Sequence, residues 1–404
     1  MLSIVLYNVS AQDMGKEIMM AEPVNAFELL DKLREQNGKQ VQRFSDVKDY
    51  LGFKARDKGI PVSGQFELTP LCNLSCKMCY VHLNTDQLKD QAILPVETWK
   101  DLIYQAWEAG MISACLTGGE CLSYPGFDEL FLYLHNLGCE VAILTNGSLM
   151  NDRWIDFFIQ HEPECIQVTL YGWNDDVYER VTGQRVFSIV TENVKKAIKA
   201  GLNVQLTVTP SKYLDDDVLE TIRTAAGITK NFRVNSAVFT PRVETGRSQQ
   251  QDNPDSDMYV RIYQLMKEME GKEIKEIDKD LLPLVGGPYH TCNKCGLECG
   301  AGRSTFTVNW KGELIACNGL DWIRAYPLRN GFREAWIQIN QEANQYPRIP
   351  ECEGCAYKKV CFRCAAVMRQ YAEPGKQPIK YCETVRCYVQ HGVIQIPICE
   401  DPLV

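Results

Sequence analysis

From about residue 64 the chain alternates short apolar runs with longer amphipathic ones. The runs QFELTP (65–70), ISACLT (112–117), EVAILT (140–145), IQVTLY (166–171), NVQLTV (203–208) and FRVNSAVF (232–239) have the length and the β-branched, apolar content of strands. Between them, 95–109, 126–137, 151–161, 187–200 and 214–226 read as amphipathic helices, and a sixth, 257–270, follows a polar linker. In the first helix Trp99, Leu102, Ile103, Ala106 and Trp107 fall three and four apart, on one stripe. Gly110, Gly138 and Gly201 follow helical stretches, as C-terminal caps do. Successive β-α units demand a parallel sheet, because parallel strands need helical crossovers. Six units fall short of the eight that close a full barrel. The predicted fold is therefore α/β, a partial (β/α)6 TIM-like barrel followed by a small cysteine-rich domain. Its active site is expected at the C-terminal ends of the strands. The boundaries expected are 1–60 for an N-terminal extension or small recognition module, 61–275 for the barrel and 285–404 for the cysteine-rich domain. The extension holds an apolar start, Leu2 to Tyr7, and two short helices near 25–36 and 45–52.

Composition narrows the classes. A chain of 404 residues exceeds the size at which single cores usually stop growing. With 45% hydrophobic and 24% charged residues it has the balance of a globular protein. A formal charge of -9 gives no electrostatic reason for a nucleic-acid partner. No apolar run approaches the roughly 20 residues that cross a bilayer, and the N-terminus lacks the features of a signal peptide. The expected location is cytoplasmic, with no membrane partner. In a reducing cytosol 18 cysteines point to metal binding or catalysis rather than to disulfides. Three lie at Cys72, Cys76 and Cys79, four between Cys115 and Cys165, none from 166 to 291, and eleven in 292–399.

The loop after the first strand reads Cys72-Asn-Leu-Ser-Cys76-Lys-Met-Cys79. This spacing lets three thiolates of one loop meet one face of an iron–sulfur cube and leaves one iron open to a ligand. Zinc is the competing reading, but zinc sites usually add a second pair of ligands farther along, and none lies near. The motif resembles the hallmark of the radical S-adenosylmethionine (radical SAM) superfamily, C-x3-C-x-Φ-C, with Met78 at Φ where an aromatic is common. The resemblance implies a [4Fe–4S] cluster on these three cysteines. It implies that the open iron chelates S-adenosylmethionine, whose reductive cleavage gives a 5′-deoxyadenosyl radical that abstracts hydrogen from substrate.

Gly118-Gly119-Glu120 follows the second strand, where the family carries a GGE motif. Gly118 and Gly119 are expected to bring backbone close to the cofactor's methionine amino group, and Glu120 to bind that ammonium. A tight turn is the bland alternative. Thr145 and Asn146 at the third strand's end and Thr169 at the fourth are further candidate cofactor contacts, with Met78; ordinary turn chemistry also explains Asn146-Gly147.

The C-terminal cysteines resemble the SPASM extension of peptide and protein maturases: Cys299-x12-Gly312-x4-Cys317, then Cys352-x2-Cys355-x5-Cys361-x2-Cys364, then Cys382 and Cys387. The last internal spacing is x2, where the family has x3. The resemblance implies two auxiliary [4Fe–4S] clusters. One takes Cys299, Cys317 and Cys364, with Cys292 or Cys295 as fourth ligand. The other takes Cys352, Cys355, Cys361 and Cys382, the last fitting the family pattern better than Cys387. Structural zinc on the two C-x2-C pairs is the alternative, although five residues make a short loop for a zinc ribbon.

Cys115, Cys139 and Cys165 are expected to pack as small hydrophobes, and Cys399 to be inert. Cys121 is read either as packing or as a hydrogen donor facing the cavity. The run Asp215-Asp216-Asp217 is expected to open a helix, where carboxylates suit the dipole. By resemblance the function expected is oxidative modification of a peptide or protein side chain, a crosslink or formylglycine-type oxidation, with flavodoxin or ferredoxin as electron donor. Peptide epimerisation and radical chemistry on a small molecule of cofactor or sugar biosynthesis are the alternatives.

Overall fold

The computed structural model describes residues 54–88, 91–235, 237–242, 252–270, 296–358 and 363–391. Gly52, Thr245, Cys361 and the backbone of a short antiparallel pair, Ser3–Ile4 with Val24–Asn25, are also described. The helices expected near 25–36 and 45–52 fall almost wholly outside these residues, and Cys292, Cys295 and Cys399 fall outside them.

All six expected strands form: β1 (Ser63–Glu67), β2 (Ser113–Thr117), β3 (Glu140–Thr145), β4 (Cys165–Leu170), β5 (Val204–Val208) and β6 (Phe232–Val234). They pair in sequence order, each parallel to the next. The crossovers include α1 (Val96–Glu108), α2 (Phe127–Asn136), α3 (Asp152–Gln160), α4 (Asp175–Thr182), α5 (Phe187–Lys199) and α6 (Asp217–Ile228), and α7 (Ser256–Glu270) follows β6. β6 stops five residues early because side-chain amides capture the following backbone: Val238 N–H donates to Asn253 Oδ1 at 2.7 Å. Helix α4 was not expected; it is short, and Asn174 caps it by accepting from Val177 N–H at 2.9 Å.

Along β3 and β4 buried residues alternate with half-buried ones. Val141, Ile143, Ile166 and Val168 face the helices and join one core with Trp99, Phe127, Phe131, Trp154 and Phe158. In that core Phe127 meets Trp154 edge-on at 5.2 Å. The other face, with Gln65, Cys115, Gln167 and Thr169, lines the interior of the open barrel.

The boundary expected at 285 does not divide the sheet. β7 (Thr305–Val308) pairs parallel to β1, and β8 (Leu314–Ile315) and β9 (Arg324–Ala325) continue antiparallel, giving nine strands in the order β9-β8-β7-β1-β2-β3-β4-β5-β6. An open barrel leaves the edge of β1 unpaired, and these strands cover it. The core is shared as well: Phe306 on β7 packs edge-on against Phe66 at 6.0 Å and Phe332 at 5.0 Å. Phe332 begins α8 (Phe332–Asn344), which lies against α1. Among the described residues no helix is long and apolar enough to cross a membrane.

Candidate active site

The cysteine loop leaves β1 and is stitched to the end of α4, with Ser75 N–H donating to Thr182 O at 2.8 Å and Lys77 N–H to Val181 O at 2.9 Å. Three N–H groups point at its sulfurs. Leu74 N–H reaches Cys72 Sγ at 3.4 Å, His82 N–H reaches Cys79 Sγ at 3.2 Å, and Asn146 Nδ2 reaches Cys72 Sγ at 3.5 Å. Tyr171, just beyond β4, opposes the rise of the Cys76 thiol. Burial pushes the Cys72 thiol up to about 12 and Cys76 well above its ordinary value, and each is raised further by its neighbours in the triad. Such thiols deprotonate when a metal binds. Among the described residues no three His, Cys, Asp or Glu side chains converge to hold a single metal ion. Three thiols of one loop that raise one another's pKa suit a polynuclear cluster, because its irons sit at separate corners. N–H groups aimed at sulfur are the donors that tune such clusters. The donor set therefore fits three ligands of a [4Fe–4S] cluster.

Gly118 and Gly119 are required by backbone proximity. Gly118 has φ +149°, and a Cβ on Gly119 would stand 2.3 Å from Leu71 O. Gly119 N–H donates to Thr69 O at 2.6 Å and Glu120 N–H to Leu71 O at 2.9 Å, so the motif holds the root of the cysteine loop.

Glu120 is fully buried. Its Oε1 accepts from Leu122 N–H at 3.0 Å and from Thr145 Oγ1 at 2.7 Å, and Oε2 accepts from Asn146 N–H at 2.8 Å. Burial raises its pKa while these donors oppose the rise. The carboxylate thus ties the end of β2 to the end of β3, with Oε2 keeping capacity for one more donor. Thr145 also accepts from Gly147 N–H at 3.1 Å. The Asn146 amide gives its N–H groups to Asn73 Oδ1 (2.9 Å) and Cys72, and its Oδ1 accepts from Ser148 N–H (2.9 Å). Both side chains, expected at the cofactor, are committed to supporting Glu120 and the cysteine loop.

The Met78 side chain is buried in the core. Cys121 is fully buried, and its thiol faces Leu144 O at 3.2 Å, which favours the packing reading over that of a hydrogen donor. Thr169 stands half-buried on the interior face of β4, in register with Thr207 on β5. The hydroxyls of Thr207 and Ser211 are buried without a protein partner, which marks polar capacity at these strand ends that the protein does not use itself. Sequence reasoning missed Thr207, Ser211 and Tyr171. The signal was there for Thr207, since strand alternation places it on the same face as Gln205.

Every described cysteine is a free thiol. Cys139 is in the core, whereas Cys115 and Cys165 are half-buried, Cys115 opposite Gln65 on the interior face. Asp217 opens α6, as expected, and accepts from Trp173 Nε1 at 2.7 Å.

The C-terminal thiols raise one another's pKa in two sets. Burial raises Cys317 and brings Cys364 to about 11, and Cys299 raises both further. Burial likewise brings Cys361 to about 12, with Arg363 opposing and Cys352, Cys382 and Cys355 adding to the rise. Cys292 and Cys295, expected as a fourth ligand of one set, lie outside the described residues. Cys382 lies on α9 (Ile379–Gln390) and acts electrostatically on Cys361, as Cys355 does on it. Cys387, one turn later, faces Asp257 at 3.9 Å and His391 at 3.5 Å instead.

Comparison with known proteins agrees with this geometry. The model of the radical SAM superfamily matches residues 66–225. The subtilosin biosynthesis protein AlbA of Bacillus subtilis is 25% identical over 317 residues, 76% of this chain and 67% of that protein. The AdoMet-dependent heme synthase of Methanosarcina barkeri is 26% identical over 336 residues, 77% of this chain and 92% of that protein. The crystal structure of Streptococcus suis SuiB bound to S-adenosylmethionine superposes with a TM-score of 0.61 at 15% identity, covering 90% of this chain and 84% of SuiB. That of anSMEcpe with bound AdoMet gives 0.61 at 15% identity, covering 82% of this chain and 97% of the other. The two superpositions establish the shared fold. A cysteine triad at the end of β1, a Gly-Gly-Glu turn at the end of β2 and a matching family model over the barrel lead to one assignment: residues 66–225 are a radical SAM domain, of the family that works with a [4Fe–4S] cluster and S-adenosylmethionine.

Proposed function

We propose that this enzyme oxidatively modifies a side chain of a peptide or protein, forming a crosslink or a formylglycine-type product. The observation that carries the reading is that Cys299, Cys317 and Cys364, and separately Cys352, Cys355, Cys361 and Cys382, act on one another's thiols electrostatically, in a chain whose barrel already carries its own triad. Relatives support it: AlbA serves subtilosin biosynthesis, and SuiB has been crystallised with its precursor peptide SuiA. When bound, S-adenosylmethionine and its cluster supply hydrogen abstraction, and auxiliary [4Fe–4S] clusters supply an acceptor for the electron left on the substrate.

The chain's own residues do the rest. Cys72, Cys76 and Cys79 hold the first cluster, and the Asn146 amide fixes Cys72. Glu120 holds the strand ends and offers Oε2 to an ammonium, while Thr169, Thr207 and Ser211 offer hydroxyls to the cofactor. The electron that enters the first site comes from a small carrier such as flavodoxin or ferredoxin, and the enzyme works in the cytoplasm.

The test uses anaerobically reconstituted protein, reductant, S-adenosylmethionine and short peptides encoded beside the gene, read by mass spectrometry. The expected product is a peptide lighter by two hydrogens. If 5′-deoxyadenosine forms while every peptide keeps its mass and takes up no deuterium from heavy water, the peptide reading falls. A small-molecule substrate then leads, a reading favoured by the heme synthase match over 92% of that protein. Epimerisation loses its nominated donor, since Cys121 lies in the core.

A further inference from the structure

Tyr80 follows Cys79 in sequence, and Asn318 follows Cys317. The fold brings these two neighbours together: Asn318 Nδ2 donates to the Tyr80 hydroxyl at 2.9 Å. The same amide donates to Gln65 Oε1 at 3.0 Å, and its Oδ1 accepts from Thr307 Oγ1 at 3.0 Å. Both N–H groups and the carbonyl of Asn318 are therefore engaged, which holds the amide in one orientation. Tyr80 is gripped from the other side. Its main-chain O accepts from Arg242 N–H at 3.0 Å, the Arg242 guanidinium stands over its ring at 5.5 Å, and Phe239 meets the ring edge-on at 5.9 Å. Arg242 is in turn held by a buried two-pronged ion pair with Glu67 at the end of β1, at 2.7 and 2.8 Å.

Four stretches of chain thus meet inside the barrel: the end of β1, the cysteine loop, the segment after β6 and the β7–β8 region. A buried polar network of this kind gains little over apolar packing in stability. Fully satisfied, it specifies one geometry. The groups it joins are the immediate neighbours of a ligand of the first site and a ligand of the auxiliary site, and the Tyr80 phenol lies near enough to feel both thiols.

We propose that Tyr80 and Asn318 are positioning residues whose hydrogen bond sets the distance and orientation of the Cys79 site relative to the Cys317 site. The proposal rests on the functional reading in which both sites carry clusters. Its consequence is kinetic. An error of about 1 Å at a reacting centre costs on the order of a hundredfold in rate. Loosening the strut should therefore waste S-adenosylmethionine cleavage events, because substrate is no longer held between the two sites.

The experiment compares reconstituted wild type with Tyr80→Phe, Asn318→Leu and the double variant. Iron content is measured first. A wild type carrying iron for one cluster only would overturn the functional reading and this proposal with it, whereas the spectroscopic and product measurements bear on the strut alone. The spectroscopic readout is the microwave power saturation of the reduced first cluster, which depends on its distance and orientation from neighbouring paramagnetic centres and needs no substrate. Each single variant is expected to keep its iron and to saturate differently from wild type. The double variant is expected to match the singles, since both break the same bond. With the peptide that wild type modifies, the ratio of product to 5′-deoxyadenosine is expected to fall about tenfold or more. Wild-type saturation and an unchanged ratio in iron-loaded single variants would overturn the proposal. Additive effects in the double variant would overturn it too.

Discussion

The first three cysteines and the C-terminal ones reach their places by different means. Cys72, Cys76 and Cys79 share one loop, held by main-chain bonds to Thr182 and Val181 and by the Asn146 amide. Cys299, Cys317 and Cys364 come from a turn before β7, the end of β8 and the start of a short helix, so only the finished sheet brings them together. The first arrangement depends on short-range geometry, the second on long-range packing. The difference also divides the chemistry. In the proposed function the triad serves the reductive cleavage, and the distant sets serve the later oxidation of the substrate radical.

The comparison is tested most severely by removing one ligand from each region. Cys76→Ala should abolish 5′-deoxyadenosine formation while leaving the auxiliary iron in place. Cys317→Ala should still form 5′-deoxyadenosine but no modified peptide. Iron assays and mass spectrometry on the same samples check both, and equal loss of cleavage in the two variants would erase the proposed division of labour. A finer cut lies within α9. Cys382→Ala should lose the iron of one auxiliary cluster, whereas Cys387→Ser should keep all of it, because Cys387 faces Asp257 and His391. Iron loss in Cys387→Ser instead would reassign the ligand.

The smallest effect concerns the support of the first loop. Asn174→Ala removes the cap of α4, whose last carbonyls receive Ser75 and Lys77, and should cost about 1 kcal/mol. Urea denaturation reads that loss, and an unchanged midpoint would mean that α4 is held by its packing alone.

Much of the architecture was legible in the residues. The six strands and their helices come from apolar periodicity, and the triad and the Gly-Gly-Glu turn from spacing and position. Cys382 raises the Cys361 thiol together with Cys352 and Cys355, the residues that the family pattern names with it. Other features were not legible, for physical reasons. Helix α4 is too short and polar to announce itself. The assignments of Met78 and Cys121 required knowing which face of the loop and of the β2 end turns inward. Glu120, Thr145 and Asn146 were each assigned singly to a cofactor, yet they bond one another, a choice between partners that sequence position cannot make.

The sequence by itself determined the local units: which segments become strands or helices, and which three thiols share a loop. These depend on side-chain period and short-range sterics, which act within a few residues. The tertiary structure alone decided that β7 covers the open edge of β1 and that Tyr80 meets Asn318. Those contacts join residues dozens to hundreds of positions apart, and they form only where the packing of one shared core around Phe66 and Phe306 brings the segments together.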